Sequence, residues 1–184
     1  MNTIGMIGSQ LIHTYAYGMQ FKKPNLEAAR KGKTVPQWQL EMMETASDNK
    51  PLDGVKLTHI AGGLEGVPED MAATFDLTVE KTVDAVIEAC DLIMVMDENI
   101  ESRSSLIRKT IEAGKPVFAD KALSTQQSVT QELINLAMDK NVKVAAWSQL
   151  GYSPEFDALK DFPQGGTAQR DDQGAGDRGG FPGD

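Results

Sequence analysis

What this sequence has little of narrows it first. One cysteine in 184 residues, Cys90, means that no disulfide can close within the chain, and a reducing, cytoplasmic setting is expected. Cys90 ends an apolar helical run and reads as core packing rather than as a reactive thiol. The only two histidines, His13 and His59, lie far apart, and with the single thiol they offer no metal-ligand spacing. Cations are outnumbered, with 18 Lys and Arg against 27 Asp and Glu for a formal net charge of -9. Without a basic patch to meet phosphates, nucleic acid and anionic membranes are not expected as partners. No apolar stretch approaches the roughly 18 residues a membrane span needs, and the opening Met1-Asn2-Thr3-Ile4-Gly5 lacks the basic segment of a leader. No Gly-x-Ser-x-Gly elbow occurs and Ser9 has no identifiable base, so nucleophilic catalysis is not supported.

What is present alternates between short apolar runs and amphipathic ones. Thr3 to Gly8 reads as a strand ending in glycine, and Leu11, Ile12, Tyr15, Ala16 and Met19 follow at helical spacing. Val55 to Ala61 is a second strand, closed by Gly62 and Gly63. Short helices are expected over Pro68 to Ala73 and Val83 to Ala89, with a minor strand near Phe75 to Thr78. Asp91 to Met96 is almost continuously apolar, as a central parallel strand is, and ends in Asp97-Glu98-Asn99. Ser102 is placed to cap the next helix, which runs to Gly114. Ser124 and Gln127 suggest a capping box for a helix reaching about Lys140, and Val142 to Trp147 is the last strand. Repeated strand and helix units require crossover connections, so the fold class is α/β, a parallel sheet wound on both faces.

Two segments break the pattern. Residues 22–53, with Lys22, Lys23, Lys31 and Lys33 and a helical hint around Trp38, Leu40, Met42 and Met43, read as an insertion. It would serve as a flap over the site, as an oligomer contact, or as decoration. Residues 161–184 form a low-complexity tail, which from Pro163 onwards holds seven of the chain's 17 glycines and one large apolar residue, Phe181. It buries too little to offset its ordering entropy and is expected to be disordered. The composition changes so abruptly after Phe162 that a shifted reading frame or an artificial end is suspected there.

The stretch with most chemical content runs from Glu112 to Ser124. Gly114 stops a helix, Pro116 to Ala119 is a short buried strand, and Asp120-Lys121 occupies the turn that follows. In an open parallel sheet, ligands bind beyond the carboxyl ends of the strands, so a lysine there faces a site. A solvated loop lysine is the plainer alternative. The turn after Gly8 opens a helix whose free N–H groups suit a diphosphate. An ordinary strand-to-helix turn reads equally well, because Gly8-Ser9-Gln10-Leu11-Ile12-His13 keeps only the first glycine of Gly-x-Gly-x-x-Gly. The acid that usually holds the adenosine ribose after the second strand is missing, with Glu65 the nearest, and no arginine stands ready for a 2′-phosphate.

In this order, these pieces resemble the N-terminal nucleotide-binding domain of the Gfo/Idh/MocA oxidoreductases, the glucose-fructose oxidoreductase and inositol dehydrogenase family, over about residues 3–160. Ala113 to Ser124 looks like the family's AGKxVxxEKPxA signature, with Asp120 for Glu and Ala122 for Pro. Asp91 to Asn99 is similar to its D-x-V-x-x-x-T-P-N strand, matching at Asp91 and Asn99, and Ser148 to Glu155 looks like the segment leading out of the domain. The opening strand with His13 behind it is like a branch in which a Ser-His pair replaces the later glycines.

The resemblance implies a Rossmann-like, doubly wound domain over residues 1–160 that binds NAD or NADP and serves hydride transfer at a carbinol carbon of a sugar, inositol or related polyol. Lys121 would be catalytic, its cation favouring the alkoxide that develops as hydride leaves. Gly8, with the Ser9 and Gln10 backbone, would line the diphosphate, and Asn99 the nicotinamide end. His13, Asp97, Asp120 and Lys121 complete the implied cofactor set. Asp97 and Glu98 in place of Thr-Pro would put negative charge near the diphosphate unless they turn away. The family's second domain, which supplies further catalytic residues, is not recognised in the sequence. The competing reading is therefore a non-catalytic or degenerate binding module of the same fold. A phosphoacceptor receiver domain also places a lysine after its fifth parallel strand, but it needs acids where this chain has Gly8 and Ser9.

Overall fold

The computed structural model describes residues 2–10, 13–46 and 50–147. The chain divides into two units, Met1–Ser148 and Gln149–Asp184. All described residues belong to the first, so the expected tail and the lead-out segment from Ser148 fall outside them. The elements are β1 (Asn2–Ser9), α1 (Thr14–Phe21), α2 (Leu26–Lys31), α3 (Gln37–Thr45), β2 (Val55–Gly63), α4 (Val67–Phe75), β3 (Thr78–Val79), α5 (Val83–Ala89), β4 (Leu92–Val95), α6 (Ile100–Glu112), β5 (Val117–Asp120), α7 (Gln127–Asp139) and β6 (Val144–Trp147).

The strands form one six-stranded sheet in the order β3-β2-β1-β4-β5-β6, with every pairing parallel. The winding reverses between β1 and β4, which is the place where such sheets open a crevice for ligands. A receiver domain's five-strand sheet lacks the edge strand that β3 adds here. Buried residues form two clusters, as a doubly wound sheet requires. One, built on Ile7, Val86, Ile93, Val95, Ile107 and Ile111, takes in α5, α6 and α7. The other, built on Met6, Tyr15, Leu57, Met71, Phe75 and Met94, takes in α1 to α4. Gly5 lets α5 press onto β1: a Cβ there would meet Val86 Cγ1 at 2.3 Å.

Several local expectations are corrected. α6 is capped by Asn99, not Ser102: Asn99 is extended and its Oδ1 accepts the N–H groups of Glu101 and Ser102. Ser102 already lies inside the first turn. No capping box opens α7, because its N-cap is Gln126, and the Ser124 hydroxyl instead accepts the Gln126 N–H in the preceding turn. β6 starts at Val144 because the Val142 N–H closes the end of α7 on Ala137 O. β3 is only two residues long, and Phe75 belongs to α4.

Within residues 22–53 there are two helices. α2 was not expected; its N-cap Asn25 accepts the Ala28 N–H, and acid in its first turn and base in its last complement the helix dipole. Ala29 of α2 and Met43 of α3 are both in the core, at 1% and 0% exposure. Met43→Ala is therefore expected to cost about 2–5 kcal/mol, read as a lower urea midpoint, whereas a decorative excursion would leave the midpoint unchanged.

Candidate functional site

Because Ile7 pairs with both Ala61 and Val95, and Val95 with Ala119, β2, β1, β4 and β5 end level with one another. The turns that leave them stand side by side on one rim. Gly8 has φ +68, and a Cβ there would come within 2.8 Å of Asp97 Cβ, so β1 and the loop after β4 touch through bare backbone. Ser9 is buried; its hydroxyl donates to Gly62 O at 2.7 Å and its carbonyl accepts the Leu64 N–H at 3.0 Å. This crowds Gly63, where φ is +103 and a Cβ would stand 1.9 Å from Ser9 O. The Gln10 N–H is not free, as it donates to Thr14 Oγ1 at 2.8 Å, and the Gln10 side chain reaches Asp97 Oδ1 at 3.3 Å.

The two acids after β4 differ. Asp97 turns into the start of α6: Oδ1 accepts the Asn99 N–H at 2.9 Å and Oδ2 the Ser102 hydroxyl at 2.5 Å. A carboxylate there is stabilised by free N–H groups and by the positive end of the helix. Its charge is thus spent on the protein, which eases the expected conflict with a diphosphate. Glu98 is exposed. Asn99 Oδ1 is committed to its cap, and only its amide nitrogen remains to meet a ligand.

At the end of β5, Asp120 is buried at 5% exposure. One carboxylate oxygen lies 2.6 Å from His13 Nδ1, and the other accepts from the Tyr17 hydroxyl at 3.4 Å. Since an ionised carboxylate only accepts, Nδ1 carries the hydrogen. His13 and Tyr17 sit one turn apart on α1, so a single helix brings both to Asp120, and Tyr17 also packs edge-on against Phe118. The next residue, Lys121, is half-buried with φ +68, a backbone region that costs a residue with a Cβ about 1 kcal/mol or more. Among the described residues its ammonium makes no ion pair.

Sequence reasoning missed Tyr17, Arg103 and Ser104. Arg103 is 2% exposed; its Nε donates to Asp97 O and its Nη1 to Ala122 O at 3.1 Å. The Ser104 hydroxyl shares its one hydrogen between Leu123 O at 2.8 Å and Ile100 O of its own helix at 2.9 Å. One signal was readable in advance: Arg103 occupies the same helical stripe as Ile107, Thr110 and Ile111, and a charge on a buried stripe calls for partners. Away from the rim, Cys90 is buried, and burial pushes its thiol up, which fits packing rather than reactivity.

These features define a dinucleotide-binding α/β domain. Its order reverses between β1 and β4, a single glycine, Gly8, opens the first turn, and a helix N-terminus has its nearby acid already satisfied. The fit is best at the diphosphate end, where the Gly8 turn carries no side chain, while the positions a Cβ would take at Gly8 and Gly63 are filled by atoms of Asp97 and Ser9. It is weakest at the adenosine ribose, where Gly62 and Gly63 end β2 and Glu65 is exposed beyond them.

The chain belongs to the Gfo/Idh/MocA oxidoreductase family, whose NAD-binding Rossmann-fold profile matches residues 37–148. No curated protein matches the chain at the level of sequence. Among solved structures it is similar to the UDP-N-acetylglucosamine 3-dehydrogenase GnnA of Acidithiobacillus ferrooxidans, with TM-score 0.61 and 13% identity over 89% of this chain and 42% of that one. It also resembles a putative myo-inositol dehydrogenase of Sinorhizobium meliloti, with TM-score 0.56 and 17% identity over 87% of this chain and 40% of the other. A third likeness is to a Synechocystis biliverdin reductase solved with biliverdin and NADP+, with TM-score 0.58 and 16% identity over 86% and 41%. The chain spans about two fifths of the length of these structures. The family profile is that of an NAD-binding domain, which supports a nicotinamide dinucleotide as the cofactor.

Asp120 leaves a measurable mark on Tyr17. Burial, then the Asp120 charge and the hydrogen bond to it, push the Tyr17 phenol up to about 12, and burial does the same for Tyr15. Phenols that ionise later folded than unfolded add stability that is intact below about pH 10 and lost as pH rises towards 12. The urea midpoint should therefore fall across that window, and Asp120→Asn should move one tyrosinate absorbance step back towards 10.

Proposed function

We propose that residues 1–160 form the nucleotide-binding part of an NAD(P)-dependent dehydrogenase acting on a sugar, inositol or related polyol. The observation that carries this reading is Lys121: a lysine in left-handed backbone, following a buried carboxylate, on the rim shared with the Gly8 turn. The substrate class is supported by neighbours named as a UDP-N-acetylglucosamine 3-dehydrogenase and a myo-inositol dehydrogenase.

The nicotinamide, when bound, supplies the hydride acceptor or donor. The chain's own groups do the rest. Gly8 keeps the end of β1 free of side chains beside the diphosphate, while Ser9, buried and bonded to Gly62 and Leu64, holds that turn in place. The Asn99 amide and the His13 ring, at the starts of α6 and α1, would orient the cofactor's nicotinamide half. Lys121 presents an ammonium to the substrate hydroxyl, stabilising the negative charge that develops on oxygen as hydride leaves carbon. Asp97 keeps its charge on α6, and Asp120 keeps its own on His13 and Tyr17, so neither neutralises Lys121.

One observation favours a binding module that has lost catalysis: the Gln10 N–H, a natural phosphate ligand in this turn, is taken by Thr14. Calorimetric titration with NADH and NADPH separates the two readings. A dehydrogenase domain should bind at least one of them saturably, and Lys121→Met should weaken that binding about tenfold. No heat with either nucleotide would favour the degenerate module. Lys121→Gly should raise the urea midpoint by relieving the positive φ, worth about 1 kcal/mol, while weakening nucleotide binding as Lys121→Met does.

A further inference from the structure

Arg103 is a guanidinium in the first turns of α6, almost without exposure and with no ion pair among the described residues. A buried cation without a counter-charge is costly, and the positive end of a helix is an unfavourable place for it. What the residue gains there is geometric. Arginine's planar fork holds two acceptors at a fixed angle, and here the acceptors are carbonyls of two different loops, Asp97 after β4 and Ala122 after β5. The following residue adds a third tie, from the Ser104 hydroxyl to Leu123 O.

The tied carbonyls flank one backbone outlier. On the upstream side of Lys121, the Asp120 carboxylate is held by His13 and Tyr17. On the downstream side, Ala122 and Leu123 are held by Arg103 and Ser104. A lysine has no local reason to adopt φ +68, so the conformation persists because both sides are over-determined. The Asp97 end of the same bridge contacts Gln10 in the β1 turn. Arg103 thereby joins the turn that would seat a diphosphate to the turn that carries the lysine.

We propose that Arg103, aided by Ser104, is the positioning residue for Lys121: it locks the turn after β5 in the strained conformation that delivers the ammonium to the nucleotide crevice. The inference rests on the dehydrogenase reading for what Lys121 does, but not for how it is held.

The test uses the 184-residue chain with Arg103→Met, Arg103→Lys and Ser104→Ala, each alone and combined with Lys121→Met. The first readout needs no nucleotide. Labelling of Lys121 by trinitrobenzenesulfonate is followed by peptide mass spectrometry and normalised to the exposed Lys140 of the same molecule. Release of the turn should raise that ratio about threefold in Arg103→Met, with smaller rises in Arg103→Lys and Ser104→Ala, in line with their lost bonds. The second readout is NADH and NADPH affinity. Arg103→Met should weaken it about tenfold in the parent chain and hardly at all in the Lys121→Met background, as expected when one residue acts through the other. An unchanged labelling ratio, or affinity losses that simply multiply in the double variant, would overturn the proposal. If neither nucleotide binds the parent chain, the dehydrogenase reading fails and the labelling ratio alone decides the role of Arg103. If Arg103→Met loses its helical circular dichroism, Arg103→Lys and Ser104→Ala decide it by the same ratio.

Discussion

When six strands run in one direction, all their carboxyl ends emerge on one rim, and every connection must cross a face of the sheet to begin again. In this chain the connections from β1 and β2 cross one face, while α5, α6 and α7 cross the other. The loops after β1 and β4 therefore leave in opposite directions and expose a crevice between them. The candidate site residues gather around that crevice. Gly8 and Asp97 meet there because the neighbouring strands end level, and Lys121 lies one strand further on.

A rim of this kind collects charge, and the structure shows how the charge is managed. Asp97 is absorbed by the α6 N-terminus and Asp120 by an imidazole and a phenol, while Arg103 spends its donors on loop carbonyls. Each arrangement satisfies a group that would be expensive to bury alone. Lys121 is left as the ammonium on this rim without an ion pair among the described residues, and its backbone is held in the left-handed region, as only Asp76 and Asn141 are among the other described non-glycine residues. Strain at one residue, with satisfied polar groups on both sides of it, is the pattern expected of a functional turn.

Residues 22–53 change character in this light. Their composition is loose and of mixed charge, yet Ala29 and Met43 complete the core over β1 and β2. Thr34, between α2 and α3, accepts or shares hydrogen bonds with Tyr15 and donates to Asp70 Oδ2 at 2.7 Å through both its N–H and its hydroxyl. The segment is held by α1 and α4 and is part of the layer that supports the crevice. Periodicity could not reveal this, because α2 contributes only Ala29 to the buried core, too little for an amphipathic signal.

The sequence by itself determined the alternation of elements, the direction of the sheet and the strand ends at which chemistry would be found. Those follow from runs of Ile, Val and Met with a period of their own, and from glycines at Gly8, Gly62 and Gly114 that stop them. They are local properties, readable in a window of ten residues or so. Pairings between distant residues were decided only by the tertiary structure. Asp97 could turn towards a diphosphate or into its own helix, and the choice was made by Asn99, the nearer cap. His13 could face a ligand or the protein, and Asp120, 107 residues away, takes its Nδ1. Arg103 on an apolar stripe was visible, but not the two carbonyls it would bridge. Hydrogen bonds between loops depend on how three strands align, and no local pattern encodes that alignment.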